Sequence, residues 1–323
     1  MLTGTAQGLA CVSGGFHIDP VAPVPLAVVT HAHRDHLADD LTHVVCAPPA
    51  ETLLRRRLGP AVRIDALPYG ERRRFGDVDV SLHPAGHVLG SAQVRLEKAE
   101  RVTVVSGDYK RAPDPTCEPF ELVPCDTFVT EATFALPIYR WPSAESVIQD
   151  MLSWIATNQR AGRPSVVLAY ALGKAQRLIL SLHPHLDQPI LVHGAVEAMC
   201  TLYREAGIAM PEVEHVGDTV RGAATAGRLV IAPPTVLGSP WLKRFPNASV
   251  AMASGWMRVR GRRRWKGVDR GFVLSDHADW PALLDTIAAT GARRVLTMHG
   301  YADVLARHLQ EQGLDAHALA AGG

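Results

Sequence analysis

The sequence has little cysteine: five residues in 323, an odd count, with no C-x-x-C pair. That excludes a disulfide framework and a cysteine zinc knuckle, and it leads us to expect a reducing, cytoplasmic home. No apolar run reaches the roughly 18–20 residues needed to span a bilayer. No basic segment followed by an apolar one opens the chain, so no secretory leader is expected. There is no large excess of charge of either sign: the net charge is +1, which gives no bulk electrostatic case for nucleic acid and leaves only a local one. Nor is there an internal repeat that would build a solenoid.

What the chain does have is an ordinary globular composition, 47% hydrophobic and 20% charged, at a length that allows two domains. Its most informative stretch is Thr30-His31-Ala32-His33-Arg34-Asp35-His36. Three imidazoles and a carboxylate fall within six residues, directly after the apolar run Leu26–Val29. In extended backbone His31 and His33 point the same way. Asp35 and His36 follow where the chain must turn, and they can address a second point nearby. Imidazole and carboxylate suit zinc, and less strictly manganese or iron. Further candidates follow apolar runs elsewhere: His87 after a strand ending at Leu82, Asp108 after Val102–Val105, and His299 after Arg293–Met298. Taken singly, each reads as an ordinary loop residue. Their recurrence at strand ends is how α/β scaffolds assemble a site.

The first 140 residues read as short strands and turns, with a helix at 51–58 stopped by Gly59-Pro60. After Trp141-Pro142 the texture changes. Ser143 can cap a helix whose apolar face is Val147, Ile148, Met151, Leu152 and Ile155. Strands and helices then alternate, which implies a parallel sheet. The last fifty residues, beginning with an expected strand at 271–274, are too few to fold alone. They are expected to complete the first domain, giving a discontinuous domain of 1–142 and 271–323 with a unit of 143–270 inserted.

In order along the chain, Asp19 in Ile18-Asp19-Pro20, the H-A-H-R-D-H cluster, His87 and Asp108 resemble the metallo-β-lactamase superfamily. Glu131 in Thr130-Glu131-Ala132-Thr133, Ser275-Asp276-His277, Met298-His299-Gly300 and the segment Ala171–Gln176 narrow the resemblance to the β-CASP nucleases. Ser106–Arg111, Glu131–Phe134 and Tyr139–Pro142 look most like bacterial ligase-associated DNA exonucleases. Arg34 and Leu37 stand where smaller residues are expected. The resemblance implies an α/β fold, a metallo-β-lactamase αββα sandwich with an inserted β-CASP domain. It also implies two Zn²⁺, with Mn²⁺ as the alternative, and a DNA exonuclease working in repair beside a ligase and a helicase, with DNA favoured over RNA and no membrane partner. It assigns His31, His33 and His87 to one metal, Asp35, His36 and His299 to the other, and Asp108 as the bridge. Asp19 then braces the metal loop, and His277 acts as general acid held by Glu131.

Substrate grip is expected from Lys174, Ser254, Arg258, Arg260 and Arg262. The last three belong to a run with six basic residues in nine and a tryptophan, a composition suited to a phosphate backbone. A β-CASP RNase, a metallo-hydrolase of small substrates and a metal-free binding scaffold are the competing readings. The first is raised by His299, and the other two are opposed by the insert and by the full ligand set.

Overall fold

The computed structural model describes residues 1–217, 220, 222–259, 261 and 267–319. The chain divides into two compact units, Met1–Arg140 with His277–Gly323, and Trp141–Asp276.

The strands in chain order are β1 (Leu2–Thr5), β2 (Gly8–Cys11), β3 (Phe16–Ile18), β4 (Ala27–Val28), β5 (His43–Cys46), β6 (Arg63–Ala66), β7 (Arg73–Phe75), β8 (Val78–Pro84), β9 (Ala92–Lys98), β10 (Arg101–Val105), β11 (Thr127–Glu131), β12 (Ser165–Leu168), β13 (Ile190–Val192), β14 (Val213–His215), β15 (Leu229–Ala232), β16 (Ser249–Ala253), β17 (Arg270–Phe272), β18 (Arg294–Met298) and β19 (Asp315–Ala318). The helices are α1 (Glu51–Leu58), α2 (Ala144–Arg160), α3 (Lys174–Leu182), α4 (Gly194–Glu205), α5 (Trp280–Thr290) and α6 (Ala302–Glu311).

The first unit holds two sheets, β1-β2-β3-β4-β5-β6 and β19-β18-β11-β10-β9-β8-β7. One buried cluster takes Phe16, Ile18, Val28 and Val45 from the first sheet and Val80, Leu82, Val94, Val105 and Val129 from the second, so the sheets pack face to face. Alternation along the strands gives the second sheet its other face. Val104 and Phe128 point away from the sandwich into a cluster with Trp280, Leu283 and Ile287 of α5 and Leu305 and Leu309 of α6. Each such apolar side chain removed from water stabilises by about 1.5–3 kcal/mol. Helix α5 is bounded as its sequence dictates. Asp279 accepts from the Ala282 N–H at 3.1 Å, Pro281 fills the first turn, and Gly291 ends the helix in the left-handed region at φ 69°.

Strands β10, β11 and β18 run parallel, and β8 shares their direction through two antiparallel steps. The loops carrying His87, Asp108 and His299, and Glu131 as the last residue of β11, therefore all lie at one edge of this sheet.

The second unit is a six-stranded parallel sheet of order β14-β13-β15-β12-β16-β17. Strands β12, β13 and β15 are buried along their whole length, as a parallel sheet covered on both faces requires. Ser143 caps α2 by accepting from the Ser146 N–H at 3.2 Å. The strand expected at 271–274 lies here and not in the first unit: β17 pairs in parallel with β16, Met252 opposite Gly271. Periodicity identifies a short strand but carries no information on its partner, so the expected assignment to the first unit is corrected. Among the described residues no helix is long and apolar enough to cross a membrane.

Candidate metal centre

The centre begins with the backbone at Asp19, which adopts φ +43°. Aspartate tolerates this region better than most side chains. Here it turns the carboxylate onto the segment leaving β4. Asp19 Oδ1 accepts from the Thr30 N–H at 2.7 Å, and Oδ2 accepts from the Thr30 hydroxyl at 2.5 Å and from His36 Nδ1 at 2.8 Å. The Thr30 hydroxyl has then given its proton to Asp19, so its oxygen accepts from His31 Nδ1, 3.0 Å away. One carboxylate thus places the proton on Nδ1 of both His31 and His36. Both Nε2 atoms are thereby turned toward Asp108, at 3.6 and 3.4 Å from its Oδ2. The family resemblance implied a bracing role for Asp19. It gave no signal for Thr30, whose part appears only when two distant loops meet.

His33 Nδ1 lies 3.1 Å from His31 Nε2 and 3.0 Å from His87 Nε2. His87 Nε2 is 3.7 Å from Asp108 Oδ2. These four side chains offer ligand atoms that all fall within 4.8 Å of one another. His31, His87 and Asp108 are buried. Three ring nitrogens and a carboxylate oxygen thus face one another. Their separations are close to the ~3.3 Å that two nitrogens subtend across a tetrahedral zinc with Zn–N near 2.0–2.1 Å. The donor set therefore fits a divalent cation.

The remaining expected ligands are gathered less tightly. The His36 ring lies 5.1 Å from that of His299, centroid to centroid. Asp35 is exposed, in a short 3-10 turn at Arg34–His36, and His299 is exposed at φ +61°. Among the described residues neither joins a group of potential ligands as close as the first four. Gly107 and Gly300 hold the adjoining loops. A Cβ at Gly107 would stand 2.7 Å from the Thr30 hydroxyl oxygen, and one at Gly300 2.5 Å from the Ala132 carbonyl oxygen.

Glu131, at the end of β11, is 1% exposed and accepts from the Tyr109 N–H at 2.8 Å through Oε1. Its Oε2 lies 2.9 Å from His277 Nδ1. His277 Nδ1 is also 3.8 Å from Asp108 Oδ2, so the pair stands beside the ligand cluster.

The electrostatics follow from burial and from these contacts. Desolvation, with the neighbouring imidazoles of His36 and His87, holds His31 well below the ordinary imidazole range. Burial alone would depress His36 too, but the carboxylates of Asp108 and Asp19 outweigh it and hold His36 well above that range. Asp108 is held well below the carboxylate range, the charges of His36 and His277 overriding a burial effect that would raise it.

The expected substrate contacts lie in the second unit. The Lys174 ammonium is buried and paired with Asp276 Oδ2 at 3.0 Å, with Arg177 Nη1 3.5 Å from Oδ1 of the same carboxylate. Ser254 is buried and caps a short 3-10 turn by accepting from the Trp256 N–H at 3.3 Å. Arg258 is exposed. Arg260 and Arg262 lie outside the described residues.

No protein-family model matches the chain. Individual proteins do. A protein named probable DNA ligase from Opitutus terrae is 34% identical over 320 residues, 97% of this chain and 30% of that protein. An RNase J-like protein from Methanocaldococcus jannaschii is 22% identical over 209 residues, 56% of this chain and 50% of its own. An endoribonuclease ysh1 from Aspergillus fumigatus is 30% identical over 147 residues, 42% of this chain and 17% of its own. The chain thus spans half or less of the length of each of these relatives.

Proposed function

Because this chain belongs to the metallo-β-lactamase superfamily, in its β-CASP branch, we propose that it is a metal-dependent phosphodiester hydrolase acting as an exonuclease on single-stranded or processed DNA ends. The fold reading that goes with this is an αββα sandwich carrying an inserted β-CASP domain. The observation that carries the proposal is the convergence of His31, His33, His87 and Asp108 beside the Glu131–His277 pair.

His31, His33 and His87 would hold one divalent cation, zinc or manganese. Asp35, His36 and His299 would hold a second, with Asp108 between them. Bound there, such cations supply Lewis acidity that neutralises phosphate oxygens and makes an attacking water acidic. The chain's own residues do the rest. Asp19 holds His36 by Nδ1 directly and His31 through Thr30, which turns their Nε2 atoms toward the centre. Glu131 holds His277 by Nδ1, which turns Nε2 outward as the donor. In hydrolysis the water oxygen bonds to phosphorus as the bond from phosphorus to the leaving sugar oxygen breaks. The His277 Nε2 proton ends on that oxygen, and the proton lost by the water restores His277 through solvent. Arg258, Arg260 and Arg262 would meet the phosphate backbone. Lys174, at the start of α3, and Ser254, just after β16, would add contacts from the second unit.

DNA as the substrate, in repair beside a ligase and a helicase, is supported by the ligase-named relative, which is similar along nearly the whole chain. RNA is the second reading, favoured by the names of the RNase J-like and endoribonuclease relatives. The test is metal content by mass spectrometry, together with hydrolysis of labelled DNA with zinc or manganese. Activity that EDTA abolishes and zinc or manganese restores supports the proposal. A protein that binds no divalent metal contradicts it.

A further inference from the structure

His87 is carried by the turn Ala85–Ser91, which joins β8 to β9. That turn closes on Ser91. The Ser91 hydroxyl oxygen accepts from the His87 N–H at 3.0 Å and from the Val88 N–H at 3.2 Å. The Ser91 N–H donates to the Val88 carbonyl at 2.9 Å. Its carbonyl accepts from the Ala85 N–H and from the Tyr69 hydroxyl, both at 3.1 Å. Ser91 is 3% exposed, and His87 and Val88 are buried with it. Without the hydroxyl, two buried N–H groups lose an acceptor that water cannot reach to replace, and the turn must move to meet others.

The next residue ties this turn to the loop that carries His31 and His33. The Ala92 N–H, at the start of β9, donates to the Thr30 carbonyl at 2.8 Å. Thr30 is followed at once by His31. Ser91 therefore stands at the joint between the two segments whose imidazoles meet, His87 Nε2 lying 3.0 Å from His33 Nδ1. The His87 ring also packs on those of His31, His33 and His277, at 4.8, 4.9 and 4.7 Å between centroids. Those contacts bear on the ring, and Ser91 bears on the backbone from which the ring springs. Both matter, because a metal site tolerates errors in ligand distance of only about 0.2 Å.

We propose that Ser91 is a positioning residue for the metal centre: by taking the His87 and Val88 N–H groups where β9 joins Thr30, its hydroxyl sets how far His87 Nε2 stands from the nitrogens of His31 and His33. This deepens the metal-dependent reading of the site and rests on it. A supporting group of this kind acts on affinity and on coordination geometry, since a ligand held too loosely is present but misplaced.

The probes are Zn²⁺, titrated in competition with a chromophoric chelator, and Co²⁺, whose visible absorption reports the geometry of its ligands. Ser91→Ala removes the acceptor, and Ser91→Cys keeps the size with a weak acceptor. Tyr69→Phe is the control: it loses a hydroxyl bonded to the same residue, at the Ser91 carbonyl, and leaves the Ser91 hydroxyl in place. In Ser91→Ala the Zn²⁺ affinity is expected to fall on the order of 10–100-fold and the Co²⁺ bands to shift. Ser91→Cys is expected to fall between Ser91→Ala and wild type, and Tyr69→Phe to stay within about twofold of wild type. Urea unfolding in EDTA reads the metal-free fold of each variant separately. Unchanged Zn²⁺ affinity and Co²⁺ bands in folded Ser91→Ala, whatever its urea midpoint, overturn the positioning role, and so does an equal loss of affinity in Tyr69→Phe. If Ser91→Ala does not fold, Ser91→Cys carries the test, with wild-type affinity and bands as the overturning result. A wild-type protein that binds neither Zn²⁺ nor Co²⁺ overturns the metal-centre reading instead, so the two failures are distinct.

Discussion

His36 Nδ1 lies 2.8 Å from Asp19 Oδ2, and this one hydrogen bond decides which nitrogen of His36 faces Asp108. The same carboxylate reaches His31 through the Thr30 hydroxyl. Asn at position 19 keeps the size of the side chain and tolerates φ +43°, but it loses the charge and one acceptor. Asp19→Asn is expected to weaken metal binding on the order of 10–100-fold, read by competition with a chromophoric chelator, while the circular dichroism of the protein stays unchanged.

The metal-free protein should show a pH signature at His36. Its folded value is raised, by Asp108 and Asp19, above the ordinary imidazole value of about 6.5. A raised folded value contributes stability that is complete below about pH 6.5 and is lost as pH rises through the folded value. His36→Gln should therefore cost most near pH 6 and progressively less toward alkaline pH. Urea unfolding in EDTA across that range checks it, and a cost that grows with pH would contradict the assigned charge state.

Glu131→Gln tests the pair at the edge of the cluster. The amide oxygen can still accept from the Tyr109 N–H, but the charge beside His277 is gone. The expected result is a fall in kcat of about 10²–10⁴-fold with metal content unchanged. Loss of metal in this variant would instead place Glu131 among the ligands.

Gly300→Ala addresses the loop that carries His299. The residue sits at φ +50°, and an added Cβ would stand 2.5 Å from both the Ala132 carbonyl oxygen and Thr133 Cα. Backbone on backbone cannot yield as a flexible side chain does. Strain at such a position costs of the order of 1–3 kcal/mol, so a lower unfolding midpoint in urea is expected, with activity reduced in the protein that remains folded.

Much of this was legible in the sequence, and the reason is chemical. His31, His33, His87 and Asp108 each follow an apolar run: the first two follow β4 of the first sheet, and His87 and Asp108 follow strands of the second that share one direction and so deliver their ends to one edge. Helices α1 and α2 were legible from punctuation, the stop at Gly59-Pro60 in one and the Ser143 cap in the other. What was not legible depends on tertiary meetings. Thr30 reads as an ordinary strand-end threonine until Asp19 lies against it. Lys174 reads as an exposed cation at a helix start, and only the fold brings Asp276 to its ammonium. Strand β17 reads as a short apolar run whose sheet nothing local specifies.

The most direct measurement compares single-stranded DNA and RNA oligonucleotides, labelled at either end, with zinc or manganese, for the wild type and for Asp108→Asn. The expected result is stepwise shortening of DNA from one end by the wild type, abolished by Asp108→Asn and by EDTA. Cleavage of RNA with DNA left intact would contradict the DNA assignment, and cleavage of DNA undiminished in Asp108→Asn would contradict the metal centre itself.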